Sequence, residues 1–261
     1  MNYYVVDAFA DKLFRGNPAG VCILEHEIPD TLMQKIAADN NLSETAFLYK
    51  NQQQYNLRWF TPTFEIDLCG HATLATAYVL CTCLEPHLQE VSFHTVSGIL
   101  HVIRHGDRFE MSFPLRTPEK IPVTQEMITA LGTKPLEVYA ARDLYVLLEN
   151  EQAVKDFVPD YQRLSKLSDW MGIAVTAKGT DTDFVSRFFC LELKLEDPVT
   201  DSSHSSLVPL WHEKLGKTDF LAKQLSERGG VLYCSMGKED VKISGKAKLY
   251  LHGEIFVPEE A

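Results

Sequence analysis

The sequence predicts an α+β fold built from two similar halves. Three observations lead to this prediction. Strand-like and helix-like segments alternate irregularly along the 261 residues. An arginine followed by two aromatic residues occurs once in each half, as Arg58-Trp59-Phe60 and Arg187-Phe188-Phe189. Each of these segments leads through a loop with acidic residues into a helix start rich in small residues, and such a repeat indicates a weak internal duplication.

The first half is predicted to contain strands, two helices and a β-meander. Short apolar runs predict the strands, and the apolar spacing after Pro29-Asp30 predicts a short helix. Residues 70–84 are apolar nearly all round, which predicts a helix inside the domain. Turn residues separate the meander strands. The predicted segments are strands 3–8, 20–24, 44–49 and 56–60, helices from 29 and over 70–84, and meander strands 91–96, 99–104 and 108–113.

The second half repeats this order of strands and helices. A polar, proline-rich stretch at residues 114–122 precedes it and predicts a domain boundary. We therefore predict domains at 1–117 and 118–261, with a last strand that pairs back with the first domain. The predicted segments are strands 136–148, 172–177, 183–189, 221–225, 231–234, 241–244 and 248–256, with helices near 153, over 161–171 and over 202–215.

Composition restricts the classes of function. The net charge of -11 argues against nucleic acid as a partner, and 45% apolar residues predict a well-packed core. No apolar run is long enough for a transmembrane helix, and the first residues are expected to form a strand and not a signal peptide. Six scattered cysteines are typical of reduced thiols, so we expect a cytoplasmic protein without disulfides.

Glu44 is the first candidate for chemistry. It stands at the start of an apolar strand, where partial burial is expected to raise the pKa of its carboxyl group. A carboxyl group of that kind suits a general acid or base near neutral pH. The alternative is a solvated glutamate at a strand entry, which is the commoner situation.

A second candidate group surrounds the start of the helix predicted at residue 70. Gly70 permits close backbone approach, and the free N–H groups at Gly70 and Ala72 suit an anion. His71 can donate to a substrate oxygen or relay a proton, and Cys69 can be a thiolate favoured by the helix N-terminus. The alternative is a helix cap beside a buried thiol that only packs.

A third candidate group precedes the helix predicted at residue 202. Asp197 can orient a histidine or hold a substrate group, while Thr200, Asp201 and Ser202 lie where backbone N–H groups can bind a carboxylate. The alternative is a helix start with its usual capping residues.

Other chemistries are disfavoured. A Ser-His-Asp hydrolase is conceivable from Ser202, His71 or His204, and Asp197, but the sequence has no G-x-S-x-G elbow. A zinc site could use Cys69, His71 and His204, but the nearest thiol pair lacks a C-x-x-C spacing. No glycine-rich phosphate loop is present. We therefore expect no metal and no cofactor.

Several motifs, in order, resemble the PhzF-like phenazine-biosynthesis family over essentially the whole chain. They are Asp7-Ala8-Phe9, Gly16-Asn17-Pro18-Ala19-Gly20-Val21, Ser43-Glu44-Thr45-Ala46-Phe47, Phe60-Thr61-Pro62, Gly70-His71-Ala72-Thr73-Leu74-Ala75, Glu196-Asp197-Pro198-Val199-Thr200, Gln224, Arg228-Gly229-Gly230 and Ser244-Gly245-Lys246-Ala247.

This resemblance implies a diaminopimelate-epimerase-like fold, with two pseudo-symmetric domains that each wrap an antiparallel sheet around a central helix. It further implies an isomerase in a biosynthetic process that acts by acid/base proton transfer on a small metabolite, and commonly a homodimer. The residues that correspond to the family's site are Glu44 as proton shuttle, with His71, Asp197 and Ser202. The related epimerase uses two cysteines; Cys69 matches the first, but Thr200 stands at the second, so a two-thiol racemase is disfavoured.

Two departures from the family pattern leave a second hypothesis open. Asp201 stands where the family usually has glycine, and Cys190-Leu191-Glu192-Leu193-Lys194-Leu195 replaces a small apolar loop. An aspartate adds negative charge where a substrate carboxylate would dock, or it serves as a benign helix cap. The alternative to an isomerase is therefore a degenerate relative that binds a small molecule or a protein without catalysis.

Overall fold

The computed structural model of the protein describes residues 1–257. The chain forms two compact units. Unit 1 is Met1–Ser112 together with the chain from Ser244 onward, and unit 2 is Phe113–Ile243. Within the described residues, no helix has both the length and the hydropathy to span a membrane.

Unit 1 surrounds an apolar helix with strands. Its elements are β1 (Asn2–Ala8), β2 (Asn17–Leu24), α1 (Asp30–Asn40), β3 (Glu44–Asn51), β4 (Gln54–Phe60), β5 (Glu65–Ile66), α2 (Gly70–Val79), β6 (Glu90–Thr95), β7 (Gly98–His105) and β8 (Arg108–Pro114). The helix α2 packs against β1, β2 and β3. Nine of its ten residues are buried, because its sequence offers no polar face.

The helix predicted over residues 70–84 is shorter than expected. The α-helix ends at Val79, and a π-helical turn, Leu80–Leu84, continues the chain. Apolar residues run through both parts, so the change from α- to π-helical hydrogen bonding leaves no mark in the hydropathy pattern.

Unit 2 has its own core and its own largely buried helix. Its elements are β9 (Glu119–Ile121), α3 (Gln125–Leu131), β10 (Glu137–Ala140), β11 (Leu144–Leu147), α4 (Glu151–Asp156), α5 (Tyr161–Leu164), β12 (Gly172–Lys178), β13 (Phe184–Cys190), β14 (Leu195–Asp197), α6 (Asp201–Leu215), β15 (Asp219–Gln224) and β16 (Gly230–Met236). The helix α6 packs against β16. The helix predicted over residues 161–171 ends already at Leu164.

The sheets are mixed and not purely antiparallel as predicted. In unit 1, β2 is parallel to β3 and β4 is parallel to β6. In unit 2, β11 is parallel to β12 and β13 is parallel to β15. Each parallel pair is joined through at least one helix. Parallel strands need such a crossover connection, because the chain must return to the end of the sheet where the first strand began.

The last strand, β17 (Asp240–Glu254), is one continuous element where two were predicted. From Ala247 to Glu254 it pairs antiparallel with β1, with a register shift between Val5 and Val6. Gly245 allows this continuity, since a β-carbon there would lie 2.3 Å from Cδ1 of the buried Phe9 ring.

The repeated arginine segment forms the same local structure in each unit. In unit 1, Arg58 of β4 forms a two-pronged ion pair with Glu65 of β5, at 2.7 and 2.8 Å. In unit 2, Arg187 of β13 forms the equivalent pair with Glu196 of β14, at 2.7 and 2.9 Å. Each short strand is followed directly by the buried helix of its unit, α2 or α6. The arginine therefore fixes the loop from which each helix starts.

Candidate functional site

Glu44 is the first residue of β3, where its backbone pairs with Ala19 of the parallel strand β2. Its side chain is 17% exposed, so the carboxylate is largely shielded from water but still accessible. The neighbouring Thr45 and Ala46 are fully buried, which anchors the strand just beyond it. A rigid strand end therefore presents this carboxyl group.

His71 lies against Glu44 from the start of α2. Its Nε2 atom is 3.1 Å from Oε2 of Glu44, and its side chain is 9% exposed. On the other side of the ring, Nδ1 is 3.6 Å from Sγ of Cys69. The imidazole thus lies between a carboxyl group and a thiol.

Cys69 is the residue that precedes α2, in extended conformation. The hydroxyl of Thr73 donates a hydrogen bond of 2.5 Å to the Cys69 carbonyl, and the Thr73 N–H contacts the same oxygen at 3.2 Å. Gly70 and Ala72 are buried in the first helical turn. These contacts hold the loop and position Cys69 and His71 at the helix start.

The charges of Glu44 and His71 stabilise each other. Burial is the largest single effect and raises the pKa of Glu44, but the positive charge of His71 and the side-chain contacts of His71 and Ser43 together outweigh it, and the net pKa of Glu44 is lowered. Burial alone would lower the pKa of His71, but the adjacent Cys69 and Glu44 raise it well above its ordinary value. The prediction of a raised pKa for Glu44 was therefore wrong, because it lacked the neighbouring imidazole.

Two reactive atoms of this pair retain bonding capacity. In the described part of the chain, neither Oε2 of Glu44 nor Nε2 of His71 has a well-aligned hydrogen-bond partner. Their mutual contact at 3.1 Å is consequently an ion pair without hydrogen-bond alignment. Buried polar atoms normally have partners, so this cluster is arranged to accept an additional group.

Asp197 and Thr200 form a second polar cluster at the start of α6, within unit 2. The Thr200 hydroxyl donates to Oδ2 of Asp197 at 2.6 Å. The buried Gln224 accepts from the Thr200 N–H at 2.9 Å and donates to the Asp197 carbonyl at 2.8 Å. The amide of Gln224 therefore clamps the loop that carries both residues.

Ser202 and Asp201 occupy the first turn of α6. The Ser202 hydroxyl accepts a hydrogen bond of 2.9 Å from Arg142, which itself pairs with the buried Asp143 at 3.1 Å. Asp201 is buried as the first residue of the helix. A carboxylate in the first turn interacts favourably with the helix dipole. Asp201 is thus a first-turn residue and not the N-cap, which is Thr200 without a side-chain capping hydrogen bond.

His204 is a structural histidine within α6. It is fully buried, its Nδ1 contacts the Thr200 carbonyl at 2.8 Å, and its ring lies 5.8 Å from that of Phe184. Burial lowers the pKa of His204 to about 4. It therefore remains neutral near neutral pH.

The structure thus groups the predicted residues at two helix starts. Glu44, Cys69, Gly70, His71 and Ala72 meet in unit 1, whereas Asp197, Thr200, Asp201 and Ser202 meet in unit 2. Sequence analysis assigned no role to Gln224 or Arg142, which organise the second group. The sequence feature that could have indicated a role for Arg142 is the charged pair Arg142-Asp143 in a tight turn between two apolar strands.

The fold belongs to a class that includes amino-acid racemases. A probable proline racemase from Agrobacterium radiobacter superimposes with a TM-score of 0.66 at 10% identity, covering 98% of this chain and 93% of that one. This superposition confirms the sheet-rich, epimerase-like fold that the resemblance implied.

Within that class, the chain belongs to the phenazine biosynthesis-like (PhzC–PhzF) family, whose model matches residues 6–253. It is 46% identical over 256 residues to an uncharacterized isomerase of Pseudomonas aeruginosa, covering 98% of each chain. It also superimposes on a putative phenazine biosynthesis PhzC/PhzF protein from Clostridium difficile with a TM-score of 0.96 at 53% identity, covering 98% of this chain and 100% of that one.

Proposed function

We propose that this protein is an isomerase that moves a proton within a small carboxylate-bearing metabolite, without a cofactor, and that Glu44 carries the proton. The single observation that supports this best is the Glu44 carboxylate, 17% exposed and 3.1 Å from the His71 imidazole. The name of the P. aeruginosa relative as an isomerase agrees with the reaction class.

The chemistry follows from the ion pair. The Glu44 carboxylate takes a proton from a substrate C–H and becomes a carboxylic acid, leaving a delocalised substrate anion. It then returns the proton to a different carbon of that anion, so no atom is gained or lost and nothing is oxidised. The positive charge of His71, next to the developing anion, stabilises it.

The start of α6 is a separate candidate for anion binding within unit 2, and we propose that it can bind a carboxylate. The helix begins at Asp201 and has fifteen residues, so its first N–H groups and the Ser202 hydroxyl can face an anion. Arg142, in contact with Ser202 at 2.9 Å and paired with Asp143, places a guanidinium group beside this helix start. Asp197, bonded to Thr200, would orient the substrate.

A screen for isomer formation tests the proposal. The wild-type protein and the Glu44→Gln variant are incubated with a panel of small carboxylic acids that carry an acidic C–H next to a double bond or carbonyl group, and products are resolved by NMR. A matched control is Glu90→Gln, an exposed glutamate at the start of β6.

We expect the wild type and Glu90→Gln to convert at least one acid to an isomer of equal mass, and Glu44→Gln to lose this activity by at least about 100-fold. Conversion at the wild-type rate by Glu44→Gln would remove Glu44 from the mechanism. Binding of an acid by all three proteins without conversion would favour the non-catalytic relative.

A further inference from the structure

The thiol of Cys69 has no task in the proposed proton transfer, yet it lies in the same cluster. Glu44, Cys69 and His71 each offer one ligand atom, and these three atoms lie within 4.8 Å of one another. Over residues 1–257, no other group of three or more His, Cys, Asp or Glu side chains is gathered so closely. We propose that Glu44, Cys69 and His71 bind a thiophilic divalent cation, with Zn²⁺ the best match, and that this ion blocks the proton shuttle.

The donor set favours zinc over the harder cations. Thiolate, imidazole and carboxylate are the three ligand types that Zn²⁺ takes from proteins, whereas Mg²⁺ and Ca²⁺ prefer oxygen alone. Three protein ligands leave the fourth tetrahedral position for water. Cys69 and His71 are buried and Glu44 is partly buried, so an ion there would be largely enclosed.

The distances are close to those that a bound ion requires. Zinc bonds of about 2.0 to 2.3 Å at tetrahedral angles separate the ligand atoms by roughly 3.4 to 3.7 Å. Sγ of Cys69 and Nδ1 of His71 are already 3.6 Å apart. The other ring nitrogen, Nε2, faces Glu44 at 3.1 Å, so the side chains must rotate before one imidazole nitrogen can share an ion with both partners.

The unoccupied bonding capacity of the cluster gives an independent argument. Oε2 of Glu44 and Nε2 of His71 are buried and lack aligned hydrogen-bond partners among the described residues. A metal bond to either atom would replace this unaligned contact. The Thr73 hydrogen bond to the Cys69 carbonyl, at 2.5 Å, holds the backbone that presents two of the three ligands.

Metal binding and proton transfer exclude each other. An ion bonded to the Glu44 carboxylate occupies the lone pair that would accept the substrate proton. The blocking effect rests on the proposed function, whereas metal binding itself does not. The two can therefore be tested separately.

Titration with Co²⁺, which replaces Zn²⁺ and reports thiolate bonding by near-ultraviolet charge-transfer absorption, tests the site without any substrate. The metal-free protein is titrated at mildly alkaline pH as wild type, Cys69→Ser, Glu44→Gln and the control Cys83→Ser. Cys83 is an exposed thiol outside the cluster. Circular dichroism verifies that each variant is folded.

We expect one Co²⁺ per chain in the wild type and in Cys83→Ser, displacement by Zn²⁺, loss of the absorption in Cys69→Ser, and at least about tenfold weaker binding in Glu44→Gln. Absence of the absorption in the wild type, its persistence in Cys69→Ser, or its loss in Cys83→Ser would overturn the proposal. A Glu44→Gln variant that still isomerises substrate would refute the shuttle while leaving this result unchanged.

Discussion

The Glu44–His71 contact at 3.1 Å joins a strand end to a helix start, and together with Cys69 it shifts the charge state of both groups. Burial without a partner would favour a neutral carboxylic acid and a neutral imidazole. Placed together, the two groups are more stable as carboxylate and imidazolium. Glu44 is thus a base at rest, with a cation beside it.

The sequence predicted where Glu44 lies but not how it titrates. An acidic residue at the start of an apolar run indicates a strand end, and β3 does begin at Glu44. The direction of its pKa depends on His71, which is remote in sequence and adjacent in space. Local patterns cannot provide such a pairing, and the same limit hid the roles of Gln224 and Arg142.

The burial of His204 predicts how the free energy of unfolding depends on pH. The pKa of His204 is about 4 in the folded protein and near 6.5 in the unfolded chain. As pH falls below neutral, His204 is therefore protonated in the unfolded chain while it stays neutral in the folded protein. Stability is therefore lost as pH falls from about 6.5 to about 4, by about 2 kcal/mol at pH 5 relative to pH 7.

Urea unfolding at several pH values measures this contribution. The free energy of unfolding of His204→Gln should fall less between pH 7 and pH 5 than that of the wild type, by about 2 kcal/mol. The control His87→Gln changes a side chain that is 75% exposed and should keep the wild-type slope. Parallel pH dependence in the wild type and His204→Gln would contradict the structural role of His204.

Among the elements, the short strand before each buried helix, α2 and α6, is held by an arginine. Arg187 is 12% exposed; besides Glu196, it donates to the carbonyls of Val154, Lys155 and Phe157 at the end of α4, at 3.2, 3.1 and 2.6 Å. It thus ties β13 to β14 and to α4. The planar guanidinium group, with its five donors, is suited to these contacts.

Removal of Arg187 should be costly. We expect Arg187→Met to lower the free energy of unfolding by about 3 kcal/mol, because Glu196 and the α4 carbonyls lose a charged donor. The matched control is Arg163→Met, since Arg163 is 58% exposed and its pair with Asp160 should contribute less than about 1 kcal/mol. Equal losses in chemical denaturation would show that Arg187 has no special role.

Element starts were easier to predict than element ends. The start of α2 at Gly70 and of β3 at Glu44 matched the predictions because a glycine and a change of polarity mark them. The end of α2 was missed because apolar residues continue through the π-helical turn. The continuity of β17 was missed because Gly245 resembles a break, although it serves to accommodate Phe9.

At the scale of the whole molecule, the family's motif order predicted the fold better than hydropathy did. Local patterns gave an α+β protein with a repeated arginine segment, while the epimerase-like architecture came from the resemblance. The parallel strand pairs were not predicted, because hydropathy indicates which residues are buried and not which strands are neighbours.

Self-association as a homodimer remains a proposal that the surface of unit 1 supports. Phe14 and Tyr250 are 67% and 54% exposed, and their rings contact each other at 5.8 Å beside the exposed Leu13. Clustered exposed apolar side chains favour association. Light scattering after size exclusion should give about twice the chain mass of 29.6 kDa.

The Phe14→Asp variant should reduce that mass to a single chain while the circular dichroism spectrum stays unchanged. The φ angle of Phe14 is 67°, in the left-handed region where aspartate is enriched, so the substitution should not strain the backbone. The control Val158→Asp alters an 82% exposed residue of unit 2 and should leave the mass as in the wild type. A wild-type protein of single-chain mass would contradict the proposal.

The most direct test of the central claim follows deuterium from solvent into carbon. A substrate identified by the isomer screen is converted in D₂O, and the product is analysed by mass spectrometry and NMR. We predict deuterium at the carbon that receives the proton in the wild type and in Glu90→Gln, and none above background in Glu44→Gln. Deuterium incorporation by Glu44→Gln at the wild-type rate would show that another group moves the proton.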